Sequence, residues 1–326
     1  LDLKTNIIDS PSEDQDDLFS FEKKSSNILI YDAIEAIKNA KSDSNISGIS
    51  IESDQINAGI TQLDNLRLAI EDFKKSGKFV YAYGNTVSQP AYYLGSVADQ
   101  YFLNPTGGIE LKGLSAEVVF MKNFTEKYGI GTEIIRHGKF KAAVEPYLRN
   151  DISEENKQQL STLLNDFWNT TSGKISKSRN INPSDFKTIV DSLYGIIPDQ
   201  TIKYKWSDKL VQKSEYDQFL KDKLKINKDD ELNKISFSKY IKSFEEDKDN
   251  NDQVAILYAS GTIMNGEGFD NIYAENFKKQ IIELKEDDDV KSVVLRVNSP
   301  GGSANASDEI LYELQQLKLK KPLVVS

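Results

Sequence analysis

The feature of the sequence that most constrains its fold is an internal repeat. Residues 27–82 and 271–326 share one apolar pattern at a constant separation of 244 residues, so that Ile51 falls on Leu295. In each copy a helical segment leads through polar residues to an apolar strand, and a second helix and a second strand follow. Strands that alternate with helices predict right-handed crossovers and a mostly parallel sheet. The repeat therefore predicts a duplicated α/β domain whose second copy is truncated after its second crossover.

Charged stretches indicate where the domains begin and end. Residues 1–24 are polar and acidic around SPSEDQDD, which is typical of an arm or a surface loop. A second acidic run, SFEEDKDNND at 243–252, precedes the apolar strand VAILYASG and is interpreted as a linker. We predict an N-terminal arm over 1–24, a first repeat over 25–245, and a linker with the N-terminal part of a second repeat over 246–326.

The composition excludes several classes of function. The net charge of −10 over 326 residues argues against a nucleic-acid surface. Cysteine is absent, and the single histidine, His137, leaves a zinc site short of nitrogen ligands. No apolar run approaches the roughly 20 residues that span a bilayer. Because the chain begins with Leu1 rather than Met, a leader or a membrane anchor that precedes it stays an open alternative.

The two copies differ at the turn that follows the first strand of each copy. The second copy has NSPGG at 298–302, where the first has DQINA at 54–58. Glycines let another group approach the main chain closely, and a strand, a Gly-Gly turn and a helix N-terminus can present N–H groups to a developing oxyanion. The alternative is a tight strand-to-helix turn. Because a purely structural turn would serve both copies equally, the difference favours an oxyanion-binding loop at Gly301 and Gly302.

Three stretches together carry a resemblance to a known family. They are VNSPGGSANASDEI at 297–310, GKFKAAVEPYLRNDIS at 138–153 and VSQPAYYLGSVADQYFLNPTG at 87–107. In this combination the chain resembles the tandem-repeat signal peptide peptidase A family, also called protease IV. The resemblance implies tandem crotonase-like, Clp-protease-like domains that form a serine endopeptidase with a serine-lysine dyad.

The resemblance also implies roles for individual residues. Lys141 matches the general base, and Lys139, two residues away, is the second choice. A lysine must lose its proton to act as a base, and the apolar residues that flank it within 140–144 are expected to supply a setting of low polarity. Gly301 and Gly302 match the oxyanion loop, with Gly302 as the preferred donor.

The nucleophilic serine is expected to lie outside the sequence. In the family it follows the strand that KPLVVS resembles, within an Ala-Ser-Gly-Gly-like run. Gln89 occupies this place in the first copy. In the second copy the serine would fall at position 333, seven residues beyond Ser326, and Ser326 itself lies at the strand end before the expected turn. We therefore expect no nucleophile within residues 1–326 and no activity from these residues alone.

The resemblance finally implies partners and a location. Cleaved signal peptides and other short hydrophobic peptides would be the substrates, and the protein would form a homotetramer. A membrane anchor outside this chain would hold it in the bacterial inner membrane, with the catalytic domain facing the periplasm. No cofactor, no metal and no nucleic acid are implied. Two alternatives stay open: a crotonase-like acyl-CoA enzyme, and a non-catalytic scaffold or pseudo-protease.

Overall fold

The computed structural model describes residues 6–10, 27–135, 137–243 and 252–326. The chain divides into two compact units, Leu1–Phe244 and Glu245–Ser326. Most of the predicted linker at 243–252 and most of the predicted arm at 1–24 lie outside the described residues. In the described part of the chain, no helix is both long and apolar enough to cross a membrane.

The first unit is built on a parallel sheet. A short parallel pair, β1 (Ile7–Ile8) and β2 (Ile28–Leu29), precedes it. The sheet itself has the order β3-β4-β5-β6, with β3 at Gly48–Ile51, β4 at Phe79–Ser88, β5 at Gln100–Glu110 and β6 at Lys209–Leu210. All neighbouring strands in it are parallel, as the alternation of helices and strands predicts.

Ten α-helices surround this sheet among the described residues of the first unit. They are α1 (Ile30–Ser42), α2 (Ile60–Lys74), α3 (Gln89–Gly95), α4 (Lys122–Lys127), α5 (Glu145–Leu148), α6 (Glu154–Arg179), α7 (Pro183–Asp191), α8 (Pro198–Lys203), α9 (Lys213–Leu224) and α10 (Phe237–Ile241). Two 3-10 turns lie at Ala142–Val144 and Tyr194–Ile196.

The second unit repeats the beginning of this arrangement. Its elements are β7 (Gln253–Ser260), β8 (Ile263–Met264), β9 (Ile272–Tyr273), α11 (Ala274–Glu286), β10 (Val290–Asn298), α12 (Ala304–Lys320) and β11 (Leu323–Val325). Three of the strands form a parallel sheet with the order β11-β10-β7, and β8 pairs with β9.

Equivalent elements begin 244 residues apart. The first long helices begin at Ile30 and Ala274, and the second long helices begin at Ile60 and Ala304. The short strands β2 and β9 keep the same separation. The mixed α/β class with parallel sheets that the repeat predicts is therefore confirmed.

The described part of the N-terminal arm differs from a polar surface loop. Ile7 is only 4% exposed, pairs with Ile28 in the β1–β2 ladder and belongs to the core of the first unit. The acidic run that suggested an arm begins after these residues, so composition averaged over 1–24 concealed a short buried strand.

A buried arginine joins α6 to the helices that cover the sheet. Arg67, on α2, is 1% exposed, and its guanidinium donates to Ser96 Oγ at 2.8 Å and to the Lys174 carbonyl oxygen at 3.2 Å. It also donates to the Tyr93 carbonyl oxygen. Charge-assisted bonds of this kind are strong where water is excluded. They fix the position of α6, which bears on the site described below.

The amphipathic face of α2 predicts a measurable difference between two leucines. Leu66 is fully buried, whereas Leu68, on the same helix, is 52% exposed. We expect Leu66→Ala to lower the free energy of unfolding by about 2–5 kcal/mol, because it leaves a cavity in the core. Leu68→Ala should change it by less than about 0.5 kcal/mol. Urea denaturation of the two variants checks this, and equal effects would contradict the assigned face.

Candidate active site

The glycine loop lies between the carboxyl end of β10 and the amino end of α12. The backbone of β8 runs beside it: the Ile263 amide donates to the Gly301 carbonyl oxygen at 3.0 Å, and the Ser303 amide donates to the Ile263 carbonyl oxygen at 2.8 Å. A Cβ atom added at Gly302 would lie 2.1 Å from that carbonyl oxygen. Only glycine permits this approach.

The same contact fixes the direction of the Gly302 amide. Both neighbours of Gly302 bond to Ile263, and in a parallel bridge the intervening residue points its own amide to the opposite side. The Gly301 amide donates to Ser299 Oγ at 3.1 Å. Within the described part of the chain, the Gly302 amide has no hydrogen-bond partner. It is therefore placed to donate to a ligand.

A helix N-terminus adds positive potential beside this amide. Ser303 is the N-cap of α12, and its Oγ accepts from the Ala306 amide at 3.4 Å. The aligned peptide dipoles of a 17-residue helix favour negative charge at this end. An oxygen that becomes an anion near Gly302 would meet both the amide and the helix dipole.

The equivalent turn of the first copy keeps the anchoring bond without the glycines. The Ile7 amide donates to the Asn57 carbonyl oxygen at 3.1 Å, as Ile263 does to Gly301. Gly301 has φ of +98°, a conformation that L-residues rarely adopt, whereas Asn57 is not among the residues with positive φ. The turn can thus be anchored by ordinary residues, and the glycines of the second copy support a different loop conformation.

Gln89 occupies the position in the first copy that corresponds to the serine expected in the second. It begins α3 directly after β4, and its Oε1 accepts from the amides of Lys112 and Gly113, both at 3.1 Å. Its Nε2 donates to the Gly113 carbonyl oxygen at 3.2 Å. The side chain therefore holds the start of the segment that leads to Lys141. The sequence analysis did not predict this contact, because nothing local to Gln89 indicates it.

Lys141 lies on that segment, between β5 and α6, and precedes the 3-10 turn at Ala142–Val144. Its side chain is exposed in the described structure, and Phe140 beside it is 58% exposed. The expectation that the flanking apolar residues bury Lys141 is therefore wrong for this structure. They lie on a narrow exposed turn, which cannot enclose one of its own side chains. Lys139, the second choice, is exposed as well.

Large apolar side chains are exposed along the whole segment from 114 to 147, which we call the lysine segment. Those that are at least 39% exposed are Leu114, Val119, Met121, Phe124, Tyr128, Ile130, Ile135, Phe140 and Tyr147. Exposed apolar side chains in such number are typical of a segment that packs against another surface.

Glu145, which the sequence analysis did not select, is buried at the end of this segment. Its carboxylate accepts from Ser153 Oγ, from the Ser153 amide at 3.3 Å and from Asn156 Nδ2 at 3.1 Å. The hydrogen bond from Ser153 is the main cause that lowers the pKa of Glu145 below its ordinary value, and the positive charge of Arg149 acts in the same direction. The spacing of Ser153 and Asn156 at the start of a helix is the signal that could have indicated a cap.

Ser326 and His137, which the sequence analysis also considered, show no arrangement that indicates a catalytic role. Ser326 follows β11, its amide donates to the Leu295 carbonyl oxygen at 2.9 Å, and its Oγ accepts from Arg296 at 3.0 Å. His137 is exposed. Among the described residues, no group of histidine, aspartate and glutamate side chains is arranged to hold a metal ion.

Comparisons with known proteins indicate the class of this protein. Residues 72–227 match the model of peptidase family S49, and residues 245–325 match the model of Clp protease.

The relatives are proteases. The chain is 33% identical over 345 residues to Protease 4 of Salmonella typhi, and this alignment covers 100% of this chain and 55% of that protein. It is 32% identical over 312 residues to Protease 4 of Haemophilus influenzae, covering 92% of this chain and 51% of the relative. It is 30% identical over 296 residues to the chloroplastic serine protease SPPA of Arabidopsis thaliana, covering 87% and 43%.

Residues 72–227 therefore match peptidase family S49, and the relatives named Protease 4 and SPPA confirm the resemblance stated from the motifs. It spans about half the length of the curated relatives that it matches.

The close approach of Ile263 to Gly302 predicts that Gly302→Ala displaces the loop. We expect Gly302→Ala to push the loop away from Ile263, because the new Cβ cannot lie 2.1 Å from a carbonyl oxygen. Hydrogen exchange at the Ser303 amide should then become at least about tenfold faster, since its acceptor moves away. Gly266→Ala, in the same unit, is the control for an added Cβ without a close contact: its Cβ would meet no atom within 4 Å, although its φ is positive, at +79°, whereas Gly302 is not among the glycines of positive φ. Unchanged Ser303 exchange in Gly302→Ala would contradict the close approach.

The carboxylate of Glu145 predicts a pH dependence of stability. Because its pKa is lower in the folded state than the ordinary 4.5, the ionised form stabilises the protein above about pH 4.5, and this contribution is lost as the pH falls through the folded-state value. Glu145→Gln does not titrate. We expect the difference in unfolding free energy between the wild type and this variant to be constant above pH 5 and to shrink below pH 4.5 in urea titrations. A difference independent of pH down to pH 3 would be evidence against the ionised network.

Proposed function

We propose that this protein is a serine endopeptidase with a serine-lysine dyad, in which Gly302 donates to the oxyanion and Lys141 is the general base. The observation that carries the proposal is the outward-facing Gly302 amide, which the contact with Ile263 holds beside the N-terminus of α12. The match to peptidase family S49 and the relatives named Protease 4 support it.

The chemistry follows from these two groups and a serine. Neutral lysine takes the serine proton while the hydroxyl oxygen attacks the peptide carbonyl carbon. The carbonyl oxygen becomes negative and accepts from the Gly302 amide, a contact whose loss typically costs about 100- to 1000-fold in rate. The tetrahedral intermediate then breaks its C–N bond, and the lysine returns the proton to the leaving amine. Water hydrolyses the acyl-enzyme by the same route in reverse.

The nucleophile is proposed to lie at position 333. This position corresponds to Gln89 in the first copy, and the relatives continue well beyond the length of this chain. Each copy then contributes to one site, the first with Lys141 and the second with Gly302 and the serine. On this proposal residues 1–326 have no peptidase activity by themselves.

A homotetramer would give Lys141 the surroundings that it needs. A lysine acts as a general base only in its neutral form, which apolar surroundings favour. The exposed apolar side chains of the lysine segment, such as Val119, Ile135 and Phe140, support the proposal that a neighbouring copy covers this surface. Covering the segment would remove water from around Lys141 and favour its neutral form.

Cleaved signal peptides and other short hydrophobic peptides are the proposed substrates. The resemblance to the signal peptide peptidase A family supports this choice. We further propose that the protein acts at the bacterial inner membrane, with its catalytic domain in the periplasm and an anchor outside this chain. The two Protease 4 relatives are bacterial, which supports the bacterial part of this location.

The base assignment predicts which lysine is essential. In the full-length protein, Lys141→Ala should lower kcat for a fluorogenic hydrophobic peptide by about 100- to 10,000-fold, because general-base catalysis is lost. Lys139→Ala tests the second choice, and only one of the two variants should show this loss. Lys157→Ala, on the exposed face of α6, is the matched control. Full activity of Lys141→Ala would reject the assignment, and an inactive wild type would reject the peptidase itself.

A further inference from the structure

The lysine motif is tied to α6 on both sides of Lys141. Before it, the Gln159 side-chain amide donates to the Phe140 carbonyl oxygen at 3.4 Å. After it, the Glu145 carboxylate accepts from Ser153 and Asn156, in the first turn of the same helix. Phe140 precedes Lys141 directly, and Glu145 follows it by four residues, so the two contacts bracket the lysine.

The Glu145 contact is the stronger of the two. Its side chain is 1% exposed, whereas Gln159 is exposed. A buried carboxylate is tolerated only where donors replace its water, and here three N–H and O–H groups do so. The N-terminus of the 26-residue helix α6 favours the negative charge further. Ser153 in turn caps α6, since its Oγ accepts from the Asn156 amide at 3.1 Å.

A short, stiff connection links this anchor to Lys141. The 3-10 turn Ala142–Val144 separates the two residues, and the Glu145 amide donates to the Ala142 carbonyl oxygen. At about 2 Å of rise per residue in such a turn, the Cα atoms of Lys141 and Glu145 lie about 8 Å apart. Over this short distance, a displacement of Glu145 also displaces Lys141.

A second element joins the same turn. The Met121 amide, at the start of α4, donates to the Pro146 carbonyl oxygen at 2.7 Å. The exposed stretch that contains α4 therefore depends on the turn that Glu145 holds.

We propose that Glu145 is a positioning residue, which fastens the lysine motif to the N-terminus of α6 and thereby fixes where Lys141 presents its amine. This inference rests on the proposed function, in which Lys141 is the base. A displacement of about 1 Å in a catalytic group can lower a rate by about 100-fold, so an anchor of this kind matters for catalysis as well as for folding.

The first arm of the test measures the anchor without activity. Glu145→Gln keeps the side-chain volume and removes the ionised carboxylate, and Glu154→Gln, in the first turn of α6 and exposed, is the matched control. In residues 1–326 we expect hydrogen exchange across 139–152 to be at least about tenfold faster in Glu145→Gln and unchanged in Glu154→Gln. Unchanged exchange in Glu145→Gln would overturn the proposal.

The second arm measures catalysis in the full-length protein. Glu145→Gln should lower kcat by about 10- to 100-fold, with KM changed less than about twofold, because the base is misplaced and the peptide site is not. The rise of kcat with pH should also move to higher pH, as Lys141 leaves its proper surroundings. Gln159→Ala removes the other, exposed contact without disturbing the core, and should change kcat and its pH profile in the same direction by a smaller factor.

The outcomes separate this proposal from the proposed function. Wild-type kcat and pH profile in Glu145→Gln, beside an inactive Lys141→Ala, would overturn the positioning role alone. A loss of kcat that is equal at every pH, without faster exchange in 139–152, would overturn it as well. A fully active Lys141→Ala would reject the base assignment, and the positioning role with it, whatever the exchange arm shows.

Discussion

The backbone of β8 approaches Gly302 so closely that no carbon atom fits between them. Ile263 holds this approach with two hydrogen bonds: its amide donates to the Gly301 carbonyl oxygen, and its carbonyl oxygen accepts from the Ser303 amide. The Gly302 amide between them therefore points outward. The loop can reach this position because it connects the end of β10, in the parallel sheet, to the start of the crossover helix α12. Gly302 is exposed, and its amide has no partner among the described residues, so it is available to donate to a ligand.

The two copies of the repeat share a backbone arrangement but differ at the turn and at the helix start that follow their strands. In the first copy the anchoring bond to β1 is kept by Asn57, and the glycines are gone. Its nucleophile position holds Gln89, whose amide group instead fastens the backbone at Lys112 and Gly113. This side chain thus supports the segment that carries Lys141.

The lysine segment shows how a site can depend on surfaces beyond its own turn. It is held at its start by Gln89 and near its end by Glu145, and between them it exposes large apolar side chains. Flanking residues on a narrow turn cannot remove water from Lys141, although they are apolar. Only a surface outside this turn could remove water from around Lys141.

The sequence by itself determined the repeat, the parallel α/β class, the glycine loop and the family, because apolar periodicity and short motifs are local properties of the chain. Only the tertiary structure decided that Ile7 is buried, that the Gly302 amide faces outward, and that Lys141 is exposed on its turn. The contacts of Gln89 and Glu145 join residues that are 24 and 8–11 positions apart, and only the fold brings such groups together. Side-chain surroundings depend on what the fold packs against each residue, and this information is not local to any motif.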